Sequence, residues 1–214
     1  MELRDIREVV KMTMFWPQIV FVLFISSQSE AVDRREYCFK KTGKSEFAVN
    51  KLTRCSNLRK FDFRDKALNG LDLAGGDFSY VRFQRTRIRN VYLGNSVMRQ
   101  ANFLEATLDG AELARSDLIG AVMINSKFRN CRFKGAEMMG IKAPFTDFRT
   151  SVFRDADLSF ANLFMADLTD TDFRGANLTG AILNGAVFKN AVFDSKTKHP
   201  FSAEQIKELG IILQ

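Results

Sequence analysis

Residues that usually carry chemistry are scarce in this chain. Its 214 residues include one histidine (His199), one tryptophan (Trp16), three cysteines and three prolines. With so few imidazoles and thiols, the inventory is poor for nucleophilic catalysis or for a metal centre. No Ser-His-Asp constellation, phosphate-binding loop or metal-ligand cluster can be assembled from it. Aspartates abound, but they recur at fixed intervals rather than converging. The expectation is therefore a protein that is not an enzyme, with no cofactor and no small-molecule substrate. A long apolar run is also lacking: the best, Phe15–Ile25, is too short to span a bilayer comfortably.

The formal net charge is +7, unevenly spread. Residues 32–60 carry +6 and 61–100 carry +3, whereas 141–195 carry −2. Residues 1–31 read as a secretory signal: an apolar run, a polar stretch, then Ser29 and Ala31 around a cleavage point. Pro17, Gln18 and the acids of "MELRDIREVVK" fit that reading less well, and an N-terminal helix packed on the body is the alternative. Export to the periplasm or outside the cell is the expectation over a cytoplasmic location. In an oxidising compartment Cys38 and Cys55 are candidates for a disulfide adding ~3 kcal/mol through chain entropy. Residues 32–57 form an N-terminal cap region in this reading.

From Leu58 to Phe193, stepping by five gives 28 positions, all Leu, Phe, Ile or Met except Ala143. Call each such residue i. Position i−2 is small in 24 of the 28, and i+2 holds nine of the 13 glycines with five asparagines. On an α-helix five residues advance about 500°, scattering the large side chains. On a strand an odd step alternates faces. The chain must instead turn once per repeat, with i−2 and i inward, i−1 outward and the corner at i+1 and i+2.

These residues resemble the pentapeptide-repeat family, whose motif is A(D/N)Lxx; ADLSF (156–160), ANLFM (161–165), ADLTD (166–170) and ANLTG (176–180) match it best. The resemblance implies an all-β fold, a right-handed quadrilateral β-helix over residues 58–195 with 20 residues per coil. Seven coils stacked at strand spacing make a rod ~30 Å long. Phe61, Lys66 and Leu71 break the small-residue rule, so the first coil is expected to be distorted or partly a cap. Ile141 and Ala143 exchange sizes, which predicts a small bulge near Pro144. Cys131 falls on an inward position. Residues 196–214 read as a C-terminal cap helix, with Ser202 as N-cap and Gln205 completing a capping box.

With 20 residues per coil, outward columns can be read from the sequence. One is apolar: Leu104, Ile124, Pro144 and Phe164 at i+1, with Phe145 and Met165 beside them, Ile119 and Met139 on the neighbouring face and Phe160 at the corner. So coherent a patch predicts contact with a protein partner or a second copy, unless a segment of the same chain covers it. Arg82, Arg85, Arg87 and Arg89 crowd one coil and form a candidate site for a polyanion, whether nucleic acid, anionic lipid or polysaccharide. Arg129 with Arg149, and Lys134 with Arg154 and Arg174, form columns expected to pair with Asp155, Asp170 and Asp172 between coils. Some pentapeptide-repeat proteins are acidic rods that imitate DNA and bind type II topoisomerases, but a +7 chain is a poor candidate for that role. The sequence therefore favours a non-catalytic interaction or scaffold protein, with polyanion binding as the alternative.

Overall fold

The computed structural model of the protein describes residues 57–214. The expected signal segment, the cap region before Asn57 and the Cys38–Cys55 pair lie outside the described residues. Every fifth residue from Lys60 to Asn190 has positive φ, between 50° and 71°. The N–H of residue i+3 returns to the carbonyl of i in most repeats, for example from Phe61 to Leu58 and from Ala106 to Phe103. A positive φ at i+2 closed by such a bond defines a type II turn. The corner predicted at i+1 and i+2 is thus the repeating unit of the backbone.

Four corners close one coil. Parallel bridges join residues 20 apart throughout, as in Asn102↔Val122, Val122↔Lys142 and Lys142↔Asn162. On the first side the bridges lengthen into strands β1 (Ala67–Asn69), β2 (Arg87–Arg89), β3 (Thr107–Asp109) and β4 (Lys127–Arg129). These form a four-stranded parallel sheet in which Leu108 lies opposite Phe128. The second side carries the column Leu73 to Phe193, the third Phe78 to Leu178 and the fourth Phe63 to Leu183.

The core fills the tube with the i residues, nearly all fully buried, alternating with small residues at i−2. Phe63, Phe83 and Phe103 stack at 5.4 and 4.9 Å, and Phe133, Phe153 and Phe173 at 4.9 Å each. Buried hydroxyls at i−2 are satisfied locally: Ser96 donates to the Leu93 carbonyl, Ser116 to Leu113 and Thr171 to Leu168. Cys131 is buried and free, and burial pushes its thiol up to about 12.

Two sequence expectations fail. No bulge occurs at Pro144: Ile141 and Ala143 are both fully buried, and the ladder through Lys142 keeps its register. The exchange conserves volume within one layer, so the backbone has nothing to absorb. Nor is the first coil distorted, since Asp62↔Arg82, Ala67↔Arg87 and Asp72↔Tyr92 pair regularly. Phe61 and Leu71 tilt partly outward and Lys66 is exposed, so the misfit is taken up by side chains.

At the C-terminal end the register slips to 21 residues, with Asn177 opposite Lys198. Asp194 organises this end by accepting the N–H groups of Gly175, Lys196 and Thr197. The chain then enters α1 (Ala203–Glu208), where Ser202 and Gln205 form the reciprocal capping box. It returns as β6 (Ile212–Leu213), parallel to β5 (Val192–Phe193). Phe201, Ile206 and Leu209 pack against the core, and Phe201 meets Phe188 edge-on at 5.2 Å. Among the described residues no helix is long and apolar enough to cross a membrane.

Candidate functional site

The outward carboxylates have a structural duty. At i−1, an Asp or Asn side chain accepts the backbone N–H of i+1, two residues on. Asp62 does so for Arg64, Asp77 for Ser79, Asn102 for Leu104, Asp157 for Ser159 and Asn162 for Phe164. Each such bond satisfies a donor at the entry to the corner, which is why the repeat favours D or N there. Among the described residues no group of three His, Cys, Asp or Glu side chains could hold a metal ion.

Arginines at i+1 use the same carboxylates. Arg59–Asp77, Arg99–Asp117, Arg129–Asp147 and Arg154–Asp172 are all 18 residues apart, joining i+1 on one coil to i−1 on the next. Arg149 and Arg174 reach back within their own coil to Asp147 and Asp172, each at 2.8 Å. Asp147 therefore holds Arg129 and Arg149 together. Burial raises its pKa, but hydrogen bonds from Arg149 and Arg129 outweigh that and hold it down at about 2. The expected charge pairing between coils is present, yet Asp147 and Asp172 carry it; Asp155 and Asp170 take no part in an ion pair among the described residues. Lys134 has no ion-pair partner there either.

The four arginines proposed for a polyanion divide. Arg82 is held by Asp62 at 3.0 Å and Arg85 by Asp65 at 2.6 Å, both one coil below. Arg87 and Arg89 flank Ile88 on β2, point outward and have no carboxylate partner among the described residues.

The apolar residues divide by depth. Leu104, Ile119, Ile124 and Pro144 are half-buried, tucked against the corner they enter. Five stand out: Phe160 (66% exposed), Phe145 (52%), Met165 (50%), Met139 (41%) and Phe164 (38%). Phe145 and Phe164, on successive coils, pack edge to face at 5.5 Å. Phe145, Phe160 and Met165 sit at i+2 with φ of 57°, 56° and 53°. Bulky side chains avoid that conformation, which costs about 1–2 kcal/mol per residue. The next coil leaves room for two of them: a Cβ on Gly180 would lie 2.8 Å from the Phe160 ring, and one on Gly185 3.0 Å from Met165 Cγ. Glycine above each large side chain lets it lie along the wall of the tube.

A tube of five-residue turns, with its polar residues committed to its own corners and one apolar flank left bare, defines a β-solenoid of the interaction class. The family model for pentapeptide repeats matches in 8 copies over residues 87–123, 108–142, 140–170 and 171–195, and the chain belongs to the pentapeptide-repeat family. No curated protein in the comparison matches it. Similar solved structures include QnrB1, a plasmid-mediated fluoroquinolone resistance protein, at 15% identity, covering 76% of this chain and 89% of that one with a TM-score of 0.41. A pentapeptide repeat protein from Nostoc PCC 7120 is 28% identical, covering 46% of this chain and 84% of its own, with a TM-score of 0.33. HetL, involved in heterocyst differentiation regulation in Nostoc sp. strain PCC 7120, is 19% identical over 74% of this chain and 85% of its own, with a TM-score of 0.28.

Proposed function

We propose that the protein is a non-catalytic interaction scaffold that binds a protein partner through the apolar surface on its third and fourth sides. One observation carries the reading: Phe145, Phe160 and Met165 are displayed at positive φ, where the rest of the column uses mainly Gly, Asn and Asp. Side chains that cost stability and bury nothing within their own chain fit a surface kept for contact. The sequence layout of residues 12–31 supports export, which N-terminal sequencing of the protein recovered from fractionated cells checks; an intact Met1 in the cytosol opposes it.

The contact itself is tested by placing a photo-crosslinking amino acid at Phe160 and, as control, at Thr107 on the first side. A crosslinked adduct in cells at Phe160 but not at Thr107 supports the surface; equal or absent adducts at both remove it. Homo-dimerisation through this surface gives an adduct of twice the chain mass.

A second reading rests on Arg87, Arg89 and Lys127. They share the flat first side and have no carboxylate partner among the described residues. Such a face attracts a polyanion. Heparin retention that is lost on neutralising these three residues, and unaffected by changes to Phe160, supports it.

A further inference from the structure

On the third side two tracks run side by side along the tube axis. The i−1 track is acidic: Asp117, Glu137 and Asp157, joined coil to coil by parallel bridges. The i+1 and corner track holds Ile119, Met139 and Phe160. Residues two apart on an extended chain put the tracks about 6–7 Å from each other. Asp117 is neutralised by Arg99 at 2.5 Å. Glu137 has no ion pair among the described residues, and Asp157 accepts only from the Ser159 N–H and the Asn177 amide. Across the third and fourth sides from Val97 to Met165, the outward residues include two cations, Arg99 and Lys142, against four acids, Glu105, Asp117, Glu137 and Asp157. This excess of carboxylates stands on a chain whose net charge is +7. Arg115 and Lys134 belong to the second side, across a corner, where a ligand lying on the third and fourth sides does not reach them.

We infer that the partner element received here is a cationic amphipathic segment of a protein, with apolar side chains seated on Phe145, Phe160, Phe164 and Met165 and with Lys or Arg beside them meeting Glu137 and Asp157. The inference rests on the apolar-surface reading given under Proposed function and adds the partner's charge to it. Charge complementarity sets orientation and association rate while the apolar contact supplies most of the affinity. The same carboxylates repel an anionic lipid surface, which is why a protein segment is favoured over a membrane.

The test is a selection of random displayed peptides on the full-length protein, run in parallel on the F145G/F160G/M165G variant and followed by binding measurements on the enriched peptides. Asn keeps the corner hydrogen bond that Asp157 makes, so E137Q/D157N removes charge without removing the turn's acceptor. Peptides that bind the wild type but not the triple variant are expected to combine Leu, Phe or Trp with an excess of Lys and Arg. Their affinity should fall roughly threefold to tenfold in E137Q/D157N, with a flatter salt dependence. Patch-dependent peptides with no cationic excess, or with affinity unchanged in E137Q/D157N, overturn the charge assignment and leave the apolar surface standing. Absence of any patch-dependent peptide overturns the surface itself. Co-sedimentation of wild type, but not the triple variant, with phosphatidylglycerol vesicles replaces the protein segment by a lipid surface and overturns the inference.

Discussion

Phe160 places a large ring on a left-handed backbone, with two-thirds of it in solvent. Glycine adopts that conformation without steric cost, offset in part by its greater unfolded-state entropy. The F145G/F160G/M165G variant is therefore expected to melt at the wild-type temperature or slightly above, while losing its contacts. A large drop in melting temperature would assign these side chains a packing role instead. Asp147 behaves in the opposite way. Its folded pKa lies below the ordinary carboxylate value, so its contribution to stability is complete above about pH 4 and disappears as pH falls toward about 2. Chemical denaturation across that window should show a loss that D147N flattens. At neutral pH the same substitution should cost about 1 kcal/mol or less, because both arginines are partly exposed.

At the scale of one repeat, the strand, corner and core positions follow from arithmetic on the sequence. Leu108 over Phe128 was legible because only a 20-residue coil brings every fifth large residue inside. Phe128 is fully buried and touches Phe103, Phe133 and Phe148 at 5.6–5.9 Å. Phe128→Ala should destabilise by about 3–5 kcal/mol in a denaturant titration. The depth of outward residues was not legible. Leu104 and Phe164 occupy equivalent positions, yet one is half-buried and the other exposed, because depth depends on what the adjoining coils place beside them. The ion pairs were missed for a related reason: stacking suggests a 20-residue offset, whereas Arg129 and Asp147 meet across the diagonal at 18. The last coil, where the register slips, needs α1 and β6 to cover the Phe188 and Phe193 end. Deleting residues 200–214 is expected to give aggregates or a new oligomer by light scattering, and a soluble, unchanged monomer would remove the capping role.

For the molecule as a whole, the hydrogen bonds between coils lie along the long axis. A pull on the two ends of the tube would therefore meet one rung at a time, as with a zip, instead of shearing many strands together. Optical-trap extension should release the chain as a staircase of about 20-residue steps beginning at an end. Such a tube would resist sideways compression while yielding to tension at low force, so it is suited to bearing a load across its flank and poorly suited to serving as a tether.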